Sequence, residues 1–376
     1  MSSPMDIAQL VDPGFAFKQR LDATKAALNV PFAWYPYDSL SNLVHLDRLL
    51  TGERRDLLAL LGGRPCLDLC CADGELAFFL ESQGVPIDAV DHPSGNYNGM
   101  EGVAALRSAL GSTMAIGQVD LNQPFMLPKN RYGAIFFFGA LYHLKNPFHV
   151  LEALARHTEY CFLSTRIANT LPGGARIDAE PVAYLAGRDE VNDDDSNYWM
   201  FSRAGLERIL ARTHWKVLDL VTVGAVEHSD PVSPDRDERA FVLARSAYGS
   251  IDVQLLDGWH APEDTGWRWT KQHFTAAFTL PAAARRVQPQ VYLYLAPALF
   301  NGREMVTITA SLDGQHHAQT YGAPGRHLFS CEFTGDWPAG EQCLTFSLDA
   351  VLAPEPGDGR ERALIVASLT VSHSPR

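Results

Sequence analysis

The stretch that most constrains this chain runs from Pro65 to Gly74, Pro-Cys-Leu-Asp-Leu-Cys-Cys-Ala-Asp-Gly, and continues into Glu75-Leu-Ala-Phe-Phe-Leu. A short apolar run reaches an abrupt turn of small residues, and a helix-like apolar pattern begins at once. Strand, tight turn and helix in that order make the first βα unit of a doubly wound sheet. Such sheets bind ligands outside the carboxyl ends of their strands, where helix N–H groups are free and the backbone can be approached closely.

The chain keeps that alternation. After a helix stop at Gly84, Ile87-Asp-Ala-Val-Asp91 reads as the second strand, Glu101 to Leu110 as a helix and Thr113 to Val119 as the third strand. Tyr132-Gly-Ala-Ile-Phe-Phe-Phe-Gly is a continuous apolar run, the mark of a fully buried fourth strand. Val150-Leu-Glu-Ala-Leu-Ala continues as a helix towards a fifth strand, Tyr160 to Thr165. Asn169 to Asp195 reads as a long polar insertion. Ser202 is the expected N-cap of a helix over Arg203 to Arg212, and Trp215 to Thr222 with Arg239 to Ala244 complete the sheet as an antiparallel pair. Ahead of the sheet, residues 6 to 30 have helical spacing with Phe15, Phe17 and Leu21 on one face, and Leu40 to Leu61 reads as one or two helices broken near Thr51-Gly52. Between them, Pro31-Phe-Ala-Trp-Tyr-Pro-Tyr is a stiff aromatic flap that suits either covering a cleft or capping the core.

The Pro65–Gly74 stretch resembles motif I of the class I S-adenosylmethionine-dependent methyltransferases. Asp68 and Gly74 match it, while Cys70 and Ala72 stand where that family usually has glycine. Leu141-Tyr-His-Leu-Lys-Asn-Pro after the buried strand, and Asn197-Tyr-Trp further on, resemble the group related to the tRNA wobble-uridine (carboxy)methyltransferases. The resemblance covers about residues 31 to 247. It implies a Rossmann-like, seven-stranded methyltransferase sheet and S-adenosylmethionine as cofactor. It also implies cofactor contacts from Asp68, Cys70, Ala72, Asp73 and Gly74 in the turn, and from His92, Asp120, Leu121 and Phe138 at neighbouring strand ends.

Asp91 ends the second strand seventeen positions after Gly74, where one carboxylate can accept both hydrogens of a ribose diol. Asp120 stands where the family meets the adenine amine. By position, Tyr142 would offer its face to the sulfonium cation. His143 is either a general base for a hydroxyl nucleophile or a packing residue of the following helix. Tyr35, Tyr37, Asn197, Tyr198 and Trp199 fall on the substrate side. No lysine stands near Trp34-Tyr-Pro-Tyr in the sequence, which argues against a carboxylated cofactor and against a tRNA acceptor.

From Gly249 the pattern changes to short strand-like runs divided by turns, among them Ile251 to Leu256, His273 to Leu280, Met305 to Leu312 and Cys343 to Leu348. Seven or eight such runs in one segment predict an all-β sandwich. The expected organisation is therefore an N-terminal helical cap with the flap (1–64), a methyltransferase domain (65–247) and a β-sandwich (249–376). The sandwich opens on Gly258-Trp-His-Ala-Pro-Glu-Asp-Thr-Gly-Trp-Arg-Trp-Thr, which resembles domains appended to bacterial glycosyltransferases. Trp259, Glu263, Arg268 and Trp269 there make either a sugar platform or a structural Glu263–Arg268 ion pair among tryptophans.

A net charge of −13 argues against a broad phosphate-binding face, so nucleic acid is not the expected partner. The first residues lack a basic segment and an apolar core, and no apolar run reaches the roughly 20 residues of a membrane helix, so a cytoplasmic protein is expected. None of the six cysteines falls in a Cys-x-x-Cys pair, which predicts reduced, buried thiols and no zinc site. Asp193-Asp-Asp reads as a solvated run and not as a metal site. The expected function is methyl transfer to a small molecule or to a sugar of a glycan or glycolipid. The rivals are a tRNA-modifying methyltransferase and a non-catalytic cofactor- or glycan-binding protein.

Overall fold

The computed structural model describes residues 5–375 apart from 124, 126, 130, 249–250, 252, 262, 264–266, 354–356 and 358. It divides into two compact units, Met1–Phe125 with Tyr132–Ala247, and Met126–Arg131 with Tyr248–Arg376.

The first unit opens with α1 (Ala8–Ala27), which buries Leu10, Phe17, Leu21 and Lys25. Phe15 was expected on that face but is exposed: two residues from Phe17, it lies across the helix. Gly14 allows close helix contact, because a Cβ there would lie 2.2 Å from Leu43 Cδ1. Leu43, Leu46 and Leu49 face inward from α2 (Asn42–Leu49), and α3 (Leu57–Leu61) leads into the sheet.

Strands β1 (Cys66–Leu69), β2 (Ile87–Asp91), β3 (Ile116–Gln118), β4 (Tyr132–Phe138) and β5 (Thr158–Ile167) pair in parallel in the order β3-β2-β1-β4-β5. Their crossovers run through α4 (Glu75–Ser82), α5 (Glu101–Leu110) and α6 (Pro147–His157). Strands β1 and β2 are buried along their whole length, as the apolar runs require.

Two short strands, β6 (Ala183–Leu185) and β7 (Trp199–Phe201), precede α7 (Arg203–Arg212). As expected, Ser202 Oγ caps that helix, accepting from the Gly205 N–H at 2.9 Å. The sheet ends with β8 (Trp215–Gly224) and β9 (Glu238–Ser246). β9 runs antiparallel to both β5 and β8. The seven expected strands are thus present, and β6 with β7 enlarges the sheet to nine. Near its end β5 carries β9 on one edge (Ile167 opposite Glu238) and β7 on the edge that β4 leaves after Phe138 (Ile167 opposite Phe201). The polar insertion therefore returns over the carboxyl end of β4, where the site lies. The helices ahead of the sheet share its core, which joins Leu10, Leu46 and Phe79 to Phe136 and Phe241.

The second unit holds two five-stranded sheets. One has the order Val253–Leu255, His273–Leu280, Gly340–Leu348, Val306–Leu312, Gln315–Tyr321. The other has Arg268–Trp269, Ile365–Pro375, Ala284–Leu295 and Gly325–Ser330, with Phe333–Trp337 also on Ala284–Leu295. One core lies between them, where Phe329 of one sheet meets Phe346 of the other at 6.2 Å. The ten strands exceed the expected seven or eight, because Arg268–Trp269, Gln315–Tyr321 and Phe333–Trp337 are strands without an apolar run of their own.

The Glu263–Arg268 pair does not form. Glu263 binds Arg360 at 3.1 Å, and Arg268 donates to the His260 carbonyl at 3.2 Å. Trp259 packs on Phe274 and donates its indole N–H to the Thr275 carbonyl at 2.7 Å, which serves the structural reading. Positions 262 and 264–266 of this opening, and the expected boundary at 249, lie outside the described residues. Cys343 is exposed, unlike the expected buried thiols, because it sits on the outward side of its strand.

Candidate active site

The turn from β1 into α4 takes the path that the missing glycines would have taken. Cys70 and Ala72 adopt φ of +62° and +52°, and Gly74 follows at +76°. Left-handed backbone at a non-glycine residue costs of order 1–3 kcal/mol and concentrates at functional sites. The Cys70 N–H binds the Val90 carbonyl at 2.8 Å, and the Gly74 N–H binds the Cys71 carbonyl at 2.8 Å. A side chain at Gly74 would meet Val103 Cγ2 at 2.7 Å, so glycine is needed there for space as well as for φ.

Asp91 closes over this turn from the end of β2. Its Oδ2 accepts from the Ala72 N–H and from Asn96 Nδ2, both at 2.9 Å, and its Oδ1 accepts from the His92 N–H at 2.8 Å. Oδ1 keeps a lone-pair direction free for a hydroxyl. Burial raises the Asp91 pKa above the ordinary carboxylate value against these hydrogen bonds. Asp68, on β1, is pushed up to about 7 by burial first and by the neighbouring Asp91 charge second. Among the described residues no lysine or arginine pairs with either carboxylate. Two buried acids without a counter-ion, beside a left-handed small-residue turn, fit a cationic ligand carrying a diol.

Asp73 belongs to a different structure. It is 1 % exposed, its Oδ1 accepts from Asn98 Nδ2 at 2.8 Å, and its Oδ2 accepts from Lys25 Nζ at 2.9 Å and from the Tyr35 N–H at 3.0 Å. Lys25 also holds Glu75 at 2.7 Å and lies 5.1 Å over the Trp34 ring. The expectation of no lysine near the flap is corrected: Lys25 reaches it from α1, with its charge already shared between two carboxylates. The Asp73 side chain fastens the flap to the turn.

Thus anchored, Tyr35 stands edge-on to Tyr37 and Tyr97, at 5.4 and 6.1 Å. Burial first, then the neighbouring Tyr142 and Tyr37, push the Tyr35 phenol up to about 12, so it stays protonated at neutral pH. Tyr37 and Tyr97 are exposed.

Across the sheet, β4 ends at Phe138, whose ring packs on Phe136 and Phe241. The next turn, Leu141–His143, carries Tyr142 and His143. The Tyr198 N–H binds the Tyr142 carbonyl at 2.8 Å, and Trp199 Nε1 donates to the Lys145 carbonyl at 3.4 Å, so the end of the insertion clamps this turn. Asn197 is buried and gives its amide hydrogens to the Asp194 and Val191 carbonyls, which makes it a brace of the loop. His143 Nδ1 lies 2.9 Å from Ser196 Oγ and 3.1 Å from the Ser196 carbonyl. Burial lowers the His143 pKa below the ordinary imidazole value, against the opposing effects of Ser196 and Asp194. His92 starts the loop that carries Asn96 and Tyr97. Asp120 forms a turn with Asn122, whose side chain accepts from the Lys145 N–H at 2.9 Å; Leu121 is buried beside them.

Four contributors escaped the sequence reading. Asn96 braces Asp91, and Ser196 with Asp194 stands behind His143. Arg239 on β9 lies 5.8 Å over the Tyr142 ring, with its Nε 3.1 Å from Asp237. The visible signal for Arg239 was a charged residue opening an otherwise apolar strand, Arg-Ala-Phe-Val-Leu-Ala.

Residues 44–220 match the sequence profile of a family described as a methyltransferase domain. No curated protein matches the chain. Among solved structures, the N-terminal domain of EvdMO1 with SAH bound is 15% identical, covering 65% of this chain and 100% of that chain at a TM-score of 0.38. TehB from Haemophilus influenzae is 16% identical, covering 52% and 62%, at 0.36. An S-adenosylmethionine-dependent methyltransferase from Mesorhizobium loti is 15% identical, covering 50% and 95%, at 0.34. These likenesses are too distant to carry an argument. The matched domain and the β3-β2-β1-β4-β5 order with its antiparallel end define the class: residues 44–220 form a methyltransferase domain on a Rossmann-like sheet, followed by an all-β region. No described helix is long and apolar enough to cross a membrane.

Proposed function

We propose that the chain methylates a hydroxyl of a small molecule or of a sugar in a glycan or glycolipid. S-adenosylmethionine supplies a methyl carbon that its sulfonium already activates for in-line displacement. Asp91 with the Cys70–Gly74 turn would hold its ribose side, Asp68 its cationic part, and Tyr142 would border the reacting centre. The protein's own task is alignment and exclusion of water, which can supply about 7–11 kcal/mol. The observation that carries the acceptor class is His143. It is a half-buried imidazole whose pKa is lowered, so it is neutral at pH 7, beside Tyr142 at the carboxyl end of β4 and suited to take a hydroxyl proton. Exposed Tyr37 and Tyr97 beside Tyr35 give flat apolar faces of the kind that stack on sugar C–H surfaces. The second unit is read as an accessory module of the same enzyme.

The test is methyl-donor turnover across nucleotide sugars, glycolipids, small hydroxylated molecules and unfractionated tRNA. Methylation of a hydroxyl acceptor is expected. Unfractionated tRNA is expected neither to bind tightly nor to accept label, given the net charge of −13. Label entering tRNA in proportion to this protein would promote the wobble-uridine reading in its place.

Cofactor binding has its own test. Asp91→Ala removes charge-assisted hydrogen bonds worth about 1.5–3 kcal/mol each, so S-adenosylhomocysteine should bind at least about tenfold more weakly by calorimetry. Unchanged affinity would take Asp91 out of the site.

A further inference from the structure

We infer that Ser196 and Asp194 are positioning residues that hold His143 as the Nδ1–H tautomer and leave Nε2 as the proton acceptor. The inference rests on the hydroxyl-methylation reading and names the residues that would make its base competent.

The argument is one of hydrogen counting. His143 Nδ1 faces two oxygens of one residue, Ser196 Oγ at 2.9 Å and the Ser196 carbonyl at 3.1 Å. The carbonyl can only accept, so Nδ1 must bring a hydrogen. The hydroxyl has a single hydrogen, and it points elsewhere: Ser196 Oγ donates to Asp194 Oδ1 at 2.6 Å. Towards Nδ1 the hydroxyl is therefore an acceptor too. Both contacts demand Nδ1–H, and in a neutral imidazole that leaves the lone pair on Nε2.

The order also excludes a nucleophilic serine. In a serine triad the histidine stands between serine and carboxylate and takes the serine proton. Here the serine stands between them, its proton is held by Asp194, and the nitrogen facing it is already protonated.

The insertion keeps this chain in place. The Ser196 N–H donates to the same Asp194 Oδ1 at 2.9 Å, and Asn197 Nδ2 donates to the Asp194 carbonyl at 3.0 Å. One residue further on, Tyr198 clamps the Tyr142 backbone. A segment that reads as polar and featureless thus delivers an oriented acceptor to the turn that carries the base. As the acceptor oxygen bonds to the methyl carbon, the carbon–sulfur bond would break with its electron pair left on the departing thioether, and the acceptor's O–H bond breaks. The electron pair stays on oxygen, the proton passes to Nε2, and the imidazolium later returns it to water. While the ring is charged, its Nδ1–H still donates to Ser196, and Asp194 lies one hydroxyl away as the counter-charge. The charged groups acting on the ring are Asp194 from the insertion, which favours the imidazolium, and Arg239 from β9, which opposes it.

The experiment is nitrogen-15 NMR of the histidine rings in the full chain, with His143 assigned through His143→Gln. Wild type, Ser196→Ala and Asp194→Asn are compared over pH, and S-adenosylhomocysteine affinity serves as the folding check. The wild-type ring is expected as Nδ1–H with Nε2 bare. In both variants the ring's titration midpoint is expected to fall by about half a pH unit or more, because the counter-charge is removed or uncoupled. An Nε2–H ring in the wild type, or midpoints unmoved in both variants, would overturn the inference. No acceptor is needed for these spectra, so the two readings fail separately. An Nδ1–H ring in a protein that methylates no hydroxyl sinks the reaction, and an Nε2–H ring in one that does sinks only the relay.

Discussion

Lys25→Met is expected to destabilise the first unit by about 3–5 kcal/mol, the cost of leaving buried charge without its partner. The Lys25 ammonium sits 2.9 Å from Asp73 and 2.7 Å from Glu75, and all three side chains are at least nine-tenths buried. Methionine keeps the length of the side chain and its contact with Trp34 but removes the nearest cation, so Asp73 is left facing an apolar group and Glu75 keeps only the more distant Lys18, at 3.9 Å. Ser39 and Asn98 still donate to them, at 3.3 and 2.8 Å, and neutral donors cannot replace the ammonium. Because the chain has two compact units, a global signal would mix two transitions. Urea-dependent hydrogen exchange over residues 66–91 isolates the right one. Adding Glu75→Gln to Lys25→Met should recover part of the loss, since one of the two stranded charges is gone. Equal protection in wild type and Lys25→Met would mean that the cluster contributes nothing, and the flap would need another anchor.

How much of this was legible in the sequence depends on the distance over which each feature is decided. Strands β1, β2 and β4, the Glu101–Leu110 helix and the Ser202 cap follow from runs and spacings of a few residues, and the structure places them where they were expected. The strand Gln315–Tyr321 was not legible, because alternating His, Gln and Thr side chains give no apolar period; it exists through its ladder to Val306–Leu312. The hairpin strand β6 was hidden for a related reason: three residues carry no period at all, and β6 depends on pairing with β7.

The site divides in the same way. Asp91 and the left-handed turn are picked out by signals a few residues long, a strand end and a run of small residues. The contacts of Asp73 were hidden because its partner Lys25 lies 48 positions away, and the support behind His143 was invisible because Ser196 lies 53 positions on. No spacing rule links residues that far apart. The side chain of Glu263 shows the converse error: the nearby Arg268 was the obvious partner, and the actual one, Arg360, comes from 97 positions further along.

The last large effect concerns Asp68. Its folded pKa of about 7 lies above an unfolded value of about 3.9. The folded state therefore binds the proton more tightly than the unfolded chain does, and stability falls as pH rises. The contribution is fully present below about pH 4 and is lost by the time pH has risen through 7, a total of about 4 kcal/mol at 1.36 kcal/mol per unit. The ligand-free wild type should accordingly lose stability between pH 4 and pH 7 from this group. Asp68→Asn keeps the shape and cannot ionise, so it should lack that slope and be the more stable protein at pH 8. Urea unfolding of both across this range, followed again over residues 66–91, reads the difference directly. Such instability would be retained for a reason if a cationic ligand settles beside the ionised pair. S-adenosylmethionine, which carries the sulfonium charge, should then bind the wild type more tightly as pH rises through 7, while Asp68→Asn binds with little pH dependence. Parallel stability curves for the two proteins would show that Asp68 is already ionised without a ligand. A flat affinity in the wild type would separate Asp68 from the cofactor and leave Asp91 as the carboxylate that meets it.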